Sequence, residues 1–270
     1  MNKLKKSKLI IPSIIIALIG SAATALTINA ANNTKAMNAA ITDGMNILTE
    51  YYTVTPCDTN EYTDITMHGI MKFHTDQYKI EGLGNLSVMT TDMGFMQMVS
   101  FMITPFEKKV PLCAIDFMYI MNNRKSYVEF YDLVEDASAP EYVNVLDAMR
   151  ELSSYYVTVD DILMKENWYD DLLTVSMHKS FNKSNDHLNH QLFCDTIRQY
   201  AKAAKDLPVN SEEEAAAQLD IIENYSNGLI EKGGISTDFF KKSLGEDTTR
   251  NFFNKTFFGT DNYRTETDTE

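Results

Sequence analysis

The chain has 270 residues, 44% of them hydrophobic and 23% charged, with a formal net charge of −14. This composition speaks against a disordered chain, and the acidity speaks against a nucleic acid or an anionic membrane surface as partner. The four lysines of the first thirty residues take the remainder to −18, and no Pro/Ser-rich linker or repeat divides it, so one domain with a substantial core is expected.

Lys3, Lys5, Lys6 and Lys8 precede an uncharged apolar run over residues 9–30. That is the pattern of a signal peptide or an uncleaved N-terminal anchor, just long enough to cross a bilayer. Ala23-Thr24-Ala25 and Ile28-Asn29-Ala30 offer small-residue cleavage sites. With the lysines inside, the rest of the chain stands outside the cytoplasmic membrane, touching it only through this segment. The expected organisation is a leader or anchor over 1–31, one domain over 32–259 and a disordered polar tail over 260–270.

Residues 33–52 carry Met37, Ile41, Met45, Leu48 and Tyr52 at helical spacing, with Pro56 and the polar run after it as the stop. The pattern then turns to strands at 65–73, 77–81 and 86–90. On the first of these, Thr66, His68, Ile70 and Lys72 share a face, which His74 extends. Gly82 and Gly84 lie between strands rather than before a helix, so they read as a hairpin turn and not a phosphate loop.

Residues 96–134 form the centre of the chain. Three runs rich in Met, Ile, Val, Phe and Tyr, at 96–103, 112–121 and 126–134, are separated by Pro or by Asn plus charge. The first two are apolar on both faces, as central strands covered on both sides should be. Asp116 interrupts the middle run between Ala114-Ile115 and Phe117-Met118. A carboxylate there must be paired, protonated or lining a cavity. It is therefore either a structural partner of a Tyr, Lys or Arg, or a functional acid. A reversal at Asn123-Arg124 would set Asp116 opposite Tyr131, and one more loop residue would set it opposite Asp132.

A helix follows from Ser138 and Pro140, with Tyr142, Leu146, Met149 and Leu152 on one face. Residues 160–171 are acidic and irregular and hold the only tryptophan, Trp168. A strand at 172–181 and a helix at 186–205 come next. Ser211 and Glu214 make a capping box for a helix running to Asn227-Gly228 or Gly233-Gly234. Ser236 or Thr237 caps a short helix at 239–244, and a last helix at 247–258 carries Phe252, Phe253, Phe257 and Phe258. Consecutive strands followed by helices predict an α+β fold, a three-layer α/β/α sandwich with a mostly antiparallel central sheet.

No GxSxG, HExxH, P-loop or dinucleotide fingerprint is present. His187 and His190 lie at i,i+3 on a helix and can share a metal, but no third ligand is evident, so a solvated helix face and no metal is the simpler reading. His178 reads as a partly exposed structural histidine. Cys57, Cys113 and Cys194 are too widely spaced for a disulfide framework, and the last two read as core thiols.

Residues 100–133 resemble the central block of the ferredoxin-dependent bilin reductases. The shared features are Pro105, Pro111-Leu112, Ala114-Ile115-Asp116 and Asp132-Leu133. Residues 239–258 resemble the family's C-terminal segment, a short helix followed by an aromatic-rich one, and Trp168 through Lys179 faintly echo a third block. The resemblance implies an α/β/α sandwich binding a linear tetrapyrrole such as biliverdin between the sheet and the C-terminal helices. It implies electrons from an external ferredoxin-like redox protein, with no tightly bound cofactor. It assigns proton donation to Asp116, and contacts to substrate to Ser100, Asp132 and Lys179. Ser100 stands where the phycocyanobilin-forming member has a histidine. Gly233-Gly234-Ile235-Ser236-Thr237 replaces a stretch that carries a lysine and an arginine. The alternative is a non-catalytic extracytoplasmic binding or interaction protein that keeps the fold.

Overall fold

A computed structural model describes residues 10–69 and 71–264, with the side chains of residues 10–25 and of residue 60 left aside. Helix α1 (Ile10–Thr49) leads into strands β1 (Val54–Cys57), β2 (Asp64–Met67), β3 (Met71–Ile80), β4 (Gly84–Asp92), β5 (Met96–Pro105), β6 (Leu112–Ile120) and β7 (Asn123–Tyr131). Helix α2 (Pro140–Ser154) and strand β8 (Leu173–Asn182) follow, then helices α3 (Asp186–Lys205), α4 (Glu212–Glu231), α5 (Ile235–Leu244) and α6 (Glu246–Phe252). The last runs on as a π-helical turn, Phe253–Phe257.

The strands form one sheet of order β1-β3-β4-β5-β6-β7-β8, with β2 lying beyond β1 on the same edge of β3. Every pairing is antiparallel. Both faces are covered. Val99, Phe101, Ile103, Ile115, Phe117, Val128 and Phe130 meet α1, α2 and α3 on one side. Met89, Met102, Ala114 and Tyr131 meet α4, α5 and the aromatic C-terminal segment on the other. Burial on both sides is why β5 and β6 are apolar almost throughout. The expected α+β, three-layer α/β/α sandwich is therefore the fold.

Several local expectations change. The first helix ends at Thr49, and Pro56 stands inside edge strand β1 rather than stopping the helix; an edge strand tolerates a residue with no N–H to give. The run 65–73 is not one strand. His68 and Gly69 both take positive φ (50° and 72°) and turn the chain between β2 and β3. His68 thus leaves the face that Lys72 and His74 share on β3: His68 meets Ser243 and His74 meets Asp64, while Ile70 lies outside the described residues. The central hairpin turns at Met121-Asn122, with Met121 at φ 53°, so Asp116 pairs with Tyr127 rather than Tyr131 or Asp132. Relative to the Tyr131 register the shift is four residues, an even number that keeps each side chain on its face; relative to the Asp132 register it is five, which turns β7 over. Helix α5 begins earlier than expected, with Gly234 as its cap and Thr237 inside it.

Helix α1 crosses the expected leader boundary at residue 31 without a break. Asn29 donates to Asn122 at 3.1 Å, and buried Asn33 donates to the Met121 carbonyl at 3.1 Å. Among the described residues no helix is long and apolar enough to cross a membrane. Lys3, Lys5, Lys6 and Lys8 lie outside the described residues. Residues 260–264, expected in the disordered tail, are packed: Thr260 is buried, Tyr263 packs on Phe106 at 4.3 Å, and Arg264 pairs with Asp220 and Glu223. Residues 265–270 lie outside the description.

Candidate active site

Four polar side chains form one row across the middle of the sheet. Ser100 on β5 is directly opposite Asp116 on β6, Asp116 is opposite Tyr127 on β7, and Tyr127 is opposite His178 on β8. Directly paired residues in an antiparallel sheet share a face, so all four point the same way. That face is the one under α4, α5 and the C-terminal aromatic segment. Between sheet and helices lies a cleft of about 290 Å³.

The row forms part of the cleft floor, flanked by Met98, Met102 and Met118. The roof is Tyr225 and Leu229 of α4, residues 234–237 of α5 and its approach, and Phe253, Phe257 and Phe258. The side wall is Met164, Asn167, Tyr169 and Asp170, from the irregular segment before β8. Such a mostly apolar, aromatic lining with a few convergent polar groups is the usual make-up of a small-molecule site.

The roof is fixed to the sheet by polar side chains from β3 and β4. The turn Phe253–Phe257 is π-helical, which disturbs the regular backbone pairing at its end. Ser87 donates to the carbonyls of Thr256 (2.5 Å) and Phe257 (2.8 Å), and Gln77 donates to that of Lys255 (3.0 Å). These bonds hold Phe253 and Phe257 over the floor. The side wall is fixed by Trp168, whose Nε1 donates to the Gly233 carbonyl at 2.7 Å. Its ring lies so close to Gly228 of α4 that a Cβ there would stand 2.7 Å from Cη2, so only glycine fits.

Asp116 accepts a hydrogen bond from Ser100 and opens onto the cleft. Burial pushes its carboxyl up to about 6, against the lowering effect of Ser100 and with a smaller push from the charge of Glu129. Glu129 stands two residues along β7 from Tyr127. It accepts from Tyr131 Oη at 2.6 Å and lies 2.8 Å from His178 Nε2. Burial raises the hydroxyls of Tyr127, Tyr131 and Tyr225 above the usual range, so all three stay protonated donors at neutral pH.

The elevated carboxyl has a stability consequence. A folded-state pKa above the unfolded value favours folding fully at low pH, and that contribution is lost as pH rises through about 6. Asp116→Asn removes the loss. The variant should match the parent near pH 4 and exceed it at pH 8 by about 3 kcal/mol, the scale of a shift of roughly two units. Urea midpoints at the two pH values check this; a pH-independent difference would contradict it.

Of the four site residues expected from sequence, the structure brings Ser100 and Asp116 together and leaves the other two elsewhere. Asp132 follows β7 on the opposite face and accepts from Tyr142 of α2 at 2.5 Å. Lys179 neighbours His178 on β8 and so points away from the cleft, where it pairs with Asp161 at 2.6 Å. Glu129 and Tyr127 are polar floor residues that sequence did not single out, and His178, read there as a partly exposed structural histidine, is a third. On alternating strands they resemble ordinary half-exposed polar positions, and only the pairing register shows that they converge on Asp116.

Fold and cleft together define a class: an α/β/α sandwich with a carboxylate at the centre of its sheet, facing an aromatic cleft. Among solved structures, a crystal structure of phytochromobilin synthase from tomato in complex with biliverdin has the same fold. The TM-score is 0.69 over 83% of each chain, at 13% sequence identity. The likeness is one of fold. No family model and no curated protein matches the chain.

Proposed function

We propose that the cleft binds a linear tetrapyrrole such as biliverdin and that the protein reduces it, with Asp116 as proton donor. The observation that carries this reading is Asp116 itself, a carboxyl poised near neutral pH on the floor of an aromatic cleft. A general acid works best when its pKa lies near the working pH. Flat, conjugated pyrrole rings suit Phe253, Phe257, Tyr225 and the methionines, and pyrrole N–H groups suit the carboxylates of Asp116 and Glu129.

Reduction of one double bond consumes two electrons and two protons. The electrons come singly from an external ferredoxin-like redox protein. Asp116 protonates the one-electron-reduced tetrapyrrole and is reprotonated from solvent. Ser100 holds the carboxyl in place, and Tyr127 and His178 continue the polar row beneath the rings. The apolar run behind four lysines would place this chemistry outside the cytoplasmic membrane, with the N-terminal segment as leader or anchor.

A second reading is binding without turnover. It is favoured by one observation: among the described residues the cleft is lined by no lysine or arginine, so substrate carboxylates find no fixed cation there. Anaerobic incubation of the full chain with biliverdin and reduced ferredoxin separates the two. Reduction predicts loss of the biliverdin band with formation of a bilin two electrons more reduced. A bound but unconsumed bilin establishes the second reading and removes the first.

A further inference from the structure

On the side of the sheet away from the cleft, α1 packs against α3. Helix α3 carries His187, His190 and Cys194 at spacings of three and four, so the three lie on one helical face. Helix α1 brings Asp43 to that face. His190 Nε2 is 2.9 Å from Asp43 Oδ2, and one donor atom from each of Asp43, His190 and Cys194 lies within 4.8 Å of the other two. The close approach depends on Gly44, the next residue of α1. A Cβ there would stand 2.6 Å from both Ile197 Cδ1 and Phe193 Cε1 of α3. A groove lined by Ala36, Tyr119, Asp186, His187 and His190 opens beside the cluster and gives it a path to solvent.

We propose that Asp43, His190 and Cys194 form a binding site for a divalent metal ion of the zinc class, which staples α1 to α3. The donor set fits that class. Imidazole, thiolate and carboxylate are the three protein ligands of zinc, and one neutral and two anionic donors balance a divalent charge. Ligands about 2.0–2.3 Å from a tetrahedral metal stand about 3.5 Å from one another. The 2.9 Å His190–Asp43 pair therefore opens by about 0.6 Å and no pair has to close by more than about 1.3 Å, adjustments on the scale of small side-chain rotations. On binding, the Cys194 thiol forms a sulfur–metal bond and its proton passes to solvent. The fourth position faces the groove, where His187 stands. The site is separate from the cleft and does not depend on what the cleft does. Sequence had shown His187 and His190 without a third ligand; α1 supplies Asp43, and one further turn of α3 supplies Cys194.

The test titrates the full chain carrying Cys57→Ser with Co²⁺, because Cys57 is the exposed competing thiol. A thiolate-to-cobalt charge-transfer band should rise to one equivalent and be bleached by Zn²⁺. It should be absent when Cys194→Ser is added, and Asp43→Asn or His190→Ala should weaken binding at least tenfold. No band, or a band that survives Cys194→Ser, overturns the site. A second measurement guards against misfolding of the Cys194 variant. Zn²⁺ should raise the thermal midpoint of the Cys57→Ser chain and leave that of the same chain with Asp43→Asn, a surface change, nearly unmoved. Equal shifts in the two would overturn the proposal.

Discussion

Asp116→Asn is expected to bind biliverdin as the parent does and to lower its reduction by a factor of about 10²–10⁴, the range for loss of a positioned general acid. The amide keeps the size of the carboxyl and still accepts from Ser100, so the cleft is unchanged in shape. What it loses is the proton, which burial keeps on the carboxyl until about pH 6. Single-turnover absorption, with binding measured separately, checks the split. Turnover at the parental rate would remove Asp116 from the chemistry, and loss of binding would make it a ligand contact instead. Ser100→Ala should act more weakly in the same direction, because the carboxyl remains and only its positioning is lost.

The second large effect concerns stability. Arg124 at the start of β7 is fully buried, with its guanidinium over the Tyr119 ring. It forms a forked pair with Asp186 of α3 (2.6 and 2.9 Å), donates to Asn33 of α1 (3.0 Å) and caps the Met121 and Asn123 carbonyls of the hairpin turn. One side chain thus ties α1, α3 and the hairpin that presents Asp116 and Tyr127. Arg124→Ala leaves Asp186 unpaired and buried Asn33 short of a partner, and is expected to cost about 3–5 kcal/mol. Since domains of this kind hold roughly 5–15 kcal/mol in all, the variant should be close to unfolding at 37 °C. Arg124→Lys should recover little, because an ammonium cannot reproduce the fork. Urea unfolding measures both; a loss below about 1 kcal/mol for the alanine variant would show that the pair is not the tie described.

How much of this was legible in sequence follows from where each signal resides. β5, β6 and β8, helix α3 and the capping box of α4 are written in local periodicity, and their bounds agree within a residue or two. Asp116 stands out in sequence because a charge inside an apolar run must be paired, protonated or facing a cavity. The hairpin turn is less legible: the reversal expected at Asn123-Arg124 lies at Met121-Asn122, and the chain places a methionine in the left-handed position, a choice made by packing rather than by residue preference. Asp132 and Lys179 show the opposite failure. Both adjoin true cleft residues in sequence, Tyr131 and His178, and alternation along a strand puts them on the other face. Glu129 carries no sequence signal because its partners come from register. Asp43 and Cys194 become neighbours of His190 only when α1 lies on α3.

The most direct measurement is the absorption spectrum of biliverdin titrated with the full chain. Ala114 lines the cleft floor beside Asp116, with no bulk of its own, and Ala114→Phe should fill the space above the row. The cleft assigned here predicts a saturable shift and narrowing of the bilin band at one equivalent, lost in Ala114→Phe although that variant remains folded. An unshifted band, or a shift that persists when the cleft is filled, would contradict a tetrapyrrole site between the sheet and the C-terminal helices.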